Sequence, residues 1–273
     1  MSFIYWLETP LSINMSSLLL EDREKLPKIK SRKKSGPIYF NPHLKDSQYI
    51  RKIRYTFGNS LIALYPLWEA SGGVIYDQSG KVHDGTYTAV TLGKEGIGDG
   101  KYSALFDGST SYCNIYSANL GGAFNGAEGT AVGWVKASGA GVWTDATNDY
   151  YFRLQASADN DIYIRKDSTN NRLKWNYAAG GTFEVINKDS VSTTDWFHVA
   201  ITWSKAANLV AAYYNGAVVS TSGTLGTWAG ALAIALLGAQ TTAPILAHSG
   251  YLYGWAFGNT ALTAAAIDSL YRV

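Results

Sequence analysis

Few residues in this sequence combine the types and spacings that acid–base or nucleophilic chemistry requires. The clearest candidate is His198, in the segment DWFHVAITWSKAANLVAAYYNGAVVS (195–220). A catalytic histidine needs a nucleophile, a carboxylate or a second metal ligand within reach. No Asp-His-Ser order and no His-x-His spacing surrounds His198, so we interpret it as a structural residue of a strand. Cys113 is the single cysteine, which excludes an intrachain disulfide and a cysteine metal site.

Carboxylate pairs are the next candidates, because hydrolysis of a glycosidic bond requires two carboxylates that flank it. Four glutamates between residues 61 and 273 are isolated from one another: Glu69, Glu95, Glu128 and Glu184. Asp159 and Asp161 are two positions apart, so they would project on the same side of a strand. However, Asp159, Asp161 and Asp167 flank a predicted strand over 162–166, and aspartates at such positions are typical of solvated turns. The sequence therefore predicts that the chain is not an enzyme.

Oxygen-rich loops could hold a metal ion. They occur at DATND (145–149), ADND (158–161) and DSTNN (167–171). Calcium takes six to eight oxygen ligands from converging loops, and none of these loops has an ordered series of ligands. We predict no metal or other cofactor, with a calcium ion bridging two loops as the alternative.

Aromatic side chains near polar ones are the remaining candidates for binding chemistry. Trp143 precedes Asp145 in a Gly-rich loop, and Trp175 and Tyr177 share one face of a predicted strand over 172–177. Aromatic faces stack on sugar rings, while nearby polar groups orient the hydroxyls. We therefore predict a glycan site at Trp143, Asp145, Trp175 and Tyr177. Packing of these rings in the core or at an interface is the alternative, since sandwiches bury many aromatic residues.

The elements that would position these residues follow from a period of two. Around the histidine, apolar and less apolar residues alternate over Trp196–Trp203, which is typical of a strand. Leu209–Tyr214 and Ala217–Thr221 read as two further strands. They are joined by Asn215 and Gly216, a pair that tolerates positive φ and strongly favours a hairpin turn.

The rest of the chain after residue 60 also has the composition of a β protein. It is rich in aromatic residues (14%) and glycine (28 residues) and poor in charged residues (16%), which favours an all-β protein with many turns. Only Thr263–Tyr271 predicts a helix, with Thr263 as its N-cap. Short strands at this spacing indicate a sandwich or barrel. The additional predicted strands are Leu61–Trp68, Ser103–Asp107, Tyr112–Ile115, Gly129–Val135, Tyr150–Gln155, Ile162–Lys166, Arg172–Tyr177, Thr182–Val185, Ala231–Gly238 and Tyr251–Phe257.

Four segments in order resemble one family, the concanavalin A-like jelly rolls of the laminin-G-like type. They are LWEASGGVIYDQSGKVHDGTY (67–87), SALFDGSTSYCNI (103–115), WFHVAITW…YYNGAVV (196–219) and GYLYGWAFGNTALTAAAIDSLY (250–271). The resemblance covers about residues 61–273. It implies an all-β fold in which two antiparallel sheets form a jelly-roll sandwich, followed by a short C-terminal helix.

One position departs from the family pattern. Members often carry an acidic residue in the closing strand after its glycine, where this chain has Tyr251, Leu252 and Tyr253. Any function that depends on that acid is therefore in doubt.

The N-terminal part of the chain has a different charge. Residues 1–60 contain 11 Lys/Arg and 5 Asp/Glu, whereas residues 61–273 contain 12 and 16. The segment SSLLLEDREKL (16–26) fits a short helix stopped by Pro27. The basic residues that we assign to assembly contacts are Lys28, Lys30, Arg32, Lys33 and Lys34.

We therefore predict two parts, a basic and largely irregular assembly arm over 1–57 and a sandwich domain over 58–273 that folds without it. The arm should be ordered only against other subunits. Nucleic acid is a less favoured partner, because the basic run is short and no aromatic residue interleaves it.

Targeting signals add little. The N-terminus has no early basic residue, and Glu8 and Pro10 interrupt its apolar run, so it does not predict a signal peptide. The longest apolar run, 229–239, is shorter than the roughly 20 residues of a membrane span.

A virion protein accounts for a lectin-like domain, a basic arm and no export signal together. We therefore expect a non-catalytic structural or decoration protein of a phage-like virion, made in the host cytoplasm. Similar domains are known in tailed-phage structural proteins. Copies would assemble with one another and with other virion subunits through the arm, and the outward jelly roll would bind glycans. The alternatives are a bacterial carbohydrate-binding protein without a virion role and, less favoured, a glycoside hydrolase.

Overall fold

A computed structural model describes residues 47–273. The chain divides into two units, Met1–Lys45 and Asp46–Val273, and only the second is described below. The predicted helix over 16–26 and the basic run over 28–34 lie outside the described residues. The helices are α1 (Gln48–Phe57), α2 (Ala118–Ala123) and α3 (Ala264–Tyr271), and single 3₁₀ turns occupy Gly58–Ser60 and Ala140–Thr144.

The described residues contain sixteen strands. In chain order they are β1 (Leu61–Tyr65), β2 (Val74–Ile75), β3 (Gly85–Thr88), β4 (Thr91–Glu95), β5 (Tyr102–Asp107), β6 (Tyr112–Asn114), β7 (Glu128–Ala137), β8 (Asp149–Ser157), β9 (Asn160–Lys166), β10 (Leu173–Ala179), β11 (Thr182–Lys188), β12 (Phe197–Ser204), β13 (Leu209–Tyr214), β14 (Ala217–Ser222), β15 (Ile234–Leu237) and β16 (Ser249–Gly258).

These strands form two antiparallel sheets that pack face to face. Sheet A has the order β14-β13-β12-β7-β16-β5-β4, with β1 paired to β16, and sheet B has the order β11-β10-β9-β8-β15-β6-β3-β2. The main core lies between the sheets and includes Trp203 and Trp255 from sheet A and Trp175 from sheet B. The predicted jelly-roll sandwich is confirmed.

The predicted hairpin turn and the predicted N-cap of the C-terminal helix are both observed. Asn215 and Gly216 both have positive φ, 49° and 78°, in the turn between β13 and β14. Thr263 caps α3 by accepting a hydrogen bond from the Ala266 N–H at 3.2 Å. Strands β2, β3 and β4 were not predicted; they are short and lie at or next to sheet edges.

Helix α1 belongs to the sandwich, which corrects the predicted boundary at residue 57. Its residues Tyr49, Ile50, Ile53 and Phe57 are buried against the outer face of sheet A, in a second core that also contains residues of α3. The Ser47 hydroxyl caps α1 by accepting a hydrogen bond from the Ile50 N–H at 3.1 Å. The folded unit therefore begins before α1, so the predicted arm is shorter than 1–57.

Helices α1 and α3 both pack on sheet A, through β16 and β14. The outer face of sheet B is the sheet face that these two helices leave open. None of the helices within residues 47–273 is long and apolar enough to cross a membrane.

Candidate functional site

The three aromatic residues of the predicted glycan site are buried, so they cannot serve as an exposed sugar platform. Trp143 is 1% exposed and its indole N–H donates to the Thr193 carbonyl at 2.7 Å. Trp175 and Tyr177 are fully buried between the sheets. Strand alternation turns both of them inward, and the alternative assignment to core packing is correct.

Asp145, the fourth predicted residue, has a structural role. Its carboxylate pairs with the Lys166 ammonium and accepts a hydrogen bond from the Thr147 N–H at 3.0 Å. Desolvation opposes ionisation, but the hydrogen bonds from Lys166 and Thr147 prevail and lower the pKa of Asp145. A carboxylate already held by a buried ammonium is a poor partner for a sugar hydroxyl.

Two of the oxygen-rich loops meet, since the Ser168 N–H donates to Asn148 Oδ1 at 2.8 Å, but Asp145 and Asp167 in these loops are paired with basic side chains. Asp161 pairs with Arg153, and Asp167 pairs with Arg165 and Lys174. Within residues 47–273 no three His, Cys, Asp or Glu side chains lie close enough together to hold a metal ion.

His198 is part of the scaffold. It is fully buried under α1, and its Nε2 lies 3.3 Å from the Tyr49 hydroxyl. Burial lowers the pKa of His198 to about 3, so the ring is neutral at ordinary pH. A neutral imidazole enclosed by the Tyr49 and Trp134 rings cannot reach a substrate.

The outer face of sheet B brings together a set of polar and aromatic side chains, which we call the polar face. Cross-strand pairing places them in adjacent rows, because paired residues project on the same side of a sheet. One row pairs Lys174 with Arg165 and Arg165 with Tyr150. The next row runs Asn176, Tyr163 and Arg153, and a third row contains Asp161 and Gln155. The polar face therefore consists of Tyr150, Arg153, Gln155, Asp161, Tyr163, Arg165, Lys174 and Asn176.

The centre of the polar face is a bidentate ion pair. Arg153 donates from Nε to Asp161 Oδ1 at 3.0 Å and from Nη2 to Asp161 Oδ2 at 2.8 Å. Its Nη1 also donates to the Gln240 carbonyl at 3.2 Å. Burial raises the pKa of Asp161, although Arg153 opposes the shift. Asp161 is only 7% exposed and lies within β9, so its assignment to a solvated turn is wrong.

Two tyrosines hold a second guanidinium. The Arg165 guanidinium carbon lies 5.4 Å from the Tyr150 ring centroid and 5.3 Å from that of Tyr163. Arg165 donates to Asp167 Oδ2 at 3.1 Å, and Lys174 pairs with the same oxygen at 2.7 Å. Desolvation raises the pKa of Asp167, but the hydrogen bonds from Lys174 and Thr169 outweigh it and leave the pKa well below its usual range. Asp167 is therefore a buried, paired group and not a solvated turn aspartate.

Tyr163 is the aromatic side chain of this face that a ligand can reach. Its ring is half-buried, 4.9 Å from that of Tyr150 between centroids. Burial raises the pKa of Tyr163 to about 12, so the phenol stays neutral and can donate a hydrogen bond. Among the described residues its hydroxyl has no hydrogen-bond partner. The half-buried Gln155 and Lys174 add further polar groups, so the face offers a ring for stacking beside rigidly held donors.

The signal for this face is present in the sequence. Asp161, Tyr163 and Arg165 alternate with Ile162 and Ile164, which is the pattern of a strand with one buried face. Lys174 and Asn176 alternate in the same way with Trp175 and Tyr177. The aromatic pair Trp175 and Tyr177 is the inward half of this alternation, so a prediction based on aromatic residues selects the buried face.

A family model matches more than half of the chain. The model described as the Concanavalin A-like lectin/glucanases superfamily (Laminin_G_3) matches residues 107–268. A search of curated proteins found no match.

Solved structures resemble the chain in fold. Domain 4 of AbnA, a GH43 extracellular arabinanase from Geobacillus stearothermophilus solved in complex with arabinotriose, is 17% identical, with a TM-score of 0.57 over 78% of this chain and 98% of that chain. The binding domain of Paraclostridial Mosquitocidal Protein 1 is 14% identical, with a TM-score of 0.60 over 78% and 52%. Trypanosoma rangeli sialidase in complex with sialic acid is 14% identical, with a TM-score of 0.58 over 78% and 32%. The chain spans about half the length of the toxin binding domains that it matches.

Proposed function

Since the chain belongs to the Concanavalin A-like lectin/glucanases superfamily, we propose that it is a non-catalytic protein that binds a saccharide on its polar face. The observation that carries the proposal is the half-buried Tyr163 ring, held beside the Arg153–Asp161 ion pair on the sheet face that α1 and α3 leave open. Saccharide sites combine an aromatic surface with a few well-placed polar groups.

Rigidity of the polar groups supports the proposal. Arg153, Asp161 and Arg165 are each held by ion pairs within the protein, so binding costs little further side-chain entropy. Domain 4 of AbnA, which was solved with arabinotriose, matches this chain over 98% of its own length. At 17% identity it supports the fold and leaves the identity of the sugar to experiment.

A binding role is favoured over hydrolysis by the state of the carboxylates. Retaining and inverting glycosidases need one carboxyl that gives a proton and a second that acts as nucleophile or base. On the polar face Asp161 is neutralised by Arg153, while Asp167 at its border is shared by Arg165 and Lys174. A carboxylate fixed in an ion pair is poorly suited to proton transfer.

A glycan array followed by titration tests the proposal with the full-length chain. We expect Tyr163→Ala to weaken binding by about tenfold, which is the loss expected when one stacking contact is removed. Tyr55→Ala is the matched control, because Tyr55 is a 91% exposed tyrosine on α1. The bound saccharide should release no reducing ends on long incubation.

Three results would contradict this proposal. The array could be blank for the wild type, Tyr163→Ala could bind as well as Tyr55→Ala, or reducing ends could appear in the incubation. Thermal melts of both variants control for loss of folding.

We propose further that the domain is displayed on a phage-like virion and assembles through the basic arm. The support is the charge division of the chain, with the basic run over 28–34 preceding a domain of opposite net charge. Mass photometry should find oligomers for the full-length chain and monomers for residues 46–273. A full-length monomer would favour the alternative, a free-standing bacterial carbohydrate-binding protein.

A further inference from the structure

A second surface of the molecule has the composition of a ligand site. It is a shallow groove of about 520 Å³ on the outer face of sheet A, beside the end of α3, and we call it the aromatic groove. It does not include any residue of the polar face, which belongs to the other sheet. Its lining residues are Ile97, Trp134, Lys136, Asp195, Trp196, Tyr271, Arg272 and Val273.

Strand pairing builds one wall of the groove. Lys136 of β7 pairs with Tyr251 of β16, and the Lys136 ammonium lies 5.6 Å from the Tyr251 ring centroid. Trp196, which directly precedes β12, meets the same Tyr251 ring at 6.1 Å between centroids. Trp196 is only half-buried, so part of its indole surface is open to a ligand.

A rigid aromatic cluster forms the floor. Trp134 is 7% exposed and its ring lies 5.0 Å from His198 and 5.8 Å from Tyr271 between centroids. Tyr49 of α1 contacts the same indole edge-on at 6.0 Å. Because rings from β7, β12, α1 and α3 hold one another, the shape of the floor is fixed before any ligand arrives.

The charges in the groove define the kind of ligand it fits. Among residues 47–273, the Lys136 ammonium and the Asp195 carboxylate have no ion-pair partner, whereas Arg272 pairs with Asp268 at 2.8 Å. The charges of Lys136 and Asp195 offset each other, and Asp268 offsets that of Arg272, so the groove has no net charge that would favour an anionic or a cationic ligand. A neutral molecule with many hydroxyls can accept from Lys136, donate to Asp195 and stack on Trp196.

We propose that the aromatic groove is a second saccharide site, specific for neutral sugars. The groove and the polar face lie on the outer faces of opposite sheets, so one chain would hold two glycan segments at once. Such a chain cross-links a polysaccharide, and its apparent affinity for a polymer exceeds that for an oligomer by effective concentration.

Titration calorimetry of the full-length chain tests the inference. The probes are arabinotriose and neutral tetrasaccharides of glucose, galactose and mannose. The wild type should bind two molecules of a probe, and Trp196→Ala should bind one. Lys136→Met keeps the aliphatic stem over Tyr251 and should weaken the groove site by about tenfold. Tyr163→Ala removes the polar-face site alone, and Tyr55→Ala should leave both sites intact.

The outcomes separate the two proposals. If both Trp196→Ala and Lys136→Met keep the stoichiometry and affinity of the wild type, the proposal that the aromatic groove binds a saccharide is overturned. If Tyr163→Ala keeps the stoichiometry and affinity of the wild type while Trp196→Ala loses one bound molecule, the result would support a saccharide site in the aromatic groove. The same result would contradict the proposed site on the polar face. Failure of every probe to bind the wild type would overturn both, and selective binding of anionic sugars at Trp196 would overturn the specificity for neutral ones.

Discussion

The ionisation of Asp149 links the stability of the fold to pH. It is 2% exposed, and its carboxylate accepts hydrogen bonds from the Thr147 hydroxyl at 3.0 Å and the Ser249 N–H at 3.4 Å. Burial raises the pKa of Asp149 to about 6, although Lys166 opposes the shift. An acid whose pKa is raised on folding binds its proton more tightly in the folded state. The free energy of unfolding therefore decreases as the group ionises.

The variant Asp149→Asn should therefore be more stable than the wild type at pH 7 and similar to it at pH 4. Between these limits the wild type loses stability as the pH rises, by roughly 2–3 kcal/mol on the basis of a shift from 3.8 to about 6. Asp145 keeps Lys166 paired in both proteins. Urea unfolding across this pH range measures the difference, and parallel stability curves would contradict the assignment.

At single residues, the sequence predicts which side chains share a face but not which face is inward. Trp175 and Tyr177 were correctly placed on one face of β10, yet that face is buried and Lys174 and Asn176 face outward. The polar face was missed for a further reason. Arg153 and Asp161 meet only because β8 and β9 pair in one register, and register depends on contacts between strands.

At the scale of elements, α1 is the part whose role was least evident from the sequence. Five of its ten residues are apolar or aromatic, but the segment belongs to the basic N-terminal part and no β pattern precedes it, so it was grouped with the arm. Its rings pack closely on β16, where Gly254 has a φ of +65° and a Cβ there would lie 2.5 Å from the Tyr49 ring. The glycine thus allows the helix to approach the sheet, a requirement that appears only in three dimensions.

Removing α1 should therefore be far more damaging than removing the residues before it. Residues 46–273 should melt cooperatively, whereas residues 58–273 lose the buried side chains of Tyr49, Ile50, Ile53 and Phe57. Burial of such side chains contributes about 1.5–3 kcal/mol each, and their sum is comparable with the whole stability of a domain. Circular dichroism melts compare the two fragments. Equal melting temperatures would show that α1 is dispensable and that the predicted boundary at residue 57 is correct.

Strands with clear alternation were predicted well, and Leu209–Tyr214 has the predicted bounds. The short strands β2, β3 and β4 were not, because Gly93, the exposed Thr86 and other polar residues weaken their patterns. Such edge strands are held by neighbours and turns more than by their own composition. In β2–β3, for example, the Asp84 carboxylate accepts a hydrogen bond from the Asp77 N–H at 2.8 Å.

At the scale of the whole molecule, the two sheets have different outer faces. Sheet A is covered in part by α1 and α3, which leave the aromatic groove at one side, and sheet B presents the polar face. The family resemblance over residues 61–273 predicted the sandwich correctly, because strand order within a family is preserved when sequences diverge. It could not predict the two surfaces, since these depend on outward residues that are free to vary.

A crystal structure of the full-length chain with the saccharide that it binds most tightly on the array would show whether the polar face is the binding site. We expect a sugar ring stacked on Tyr163, with its hydroxyls within hydrogen-bond distance of Gln155 or Lys174. A saccharide bound elsewhere, with the polar face occupied by solvent alone, would contradict the claim that this face is the binding site.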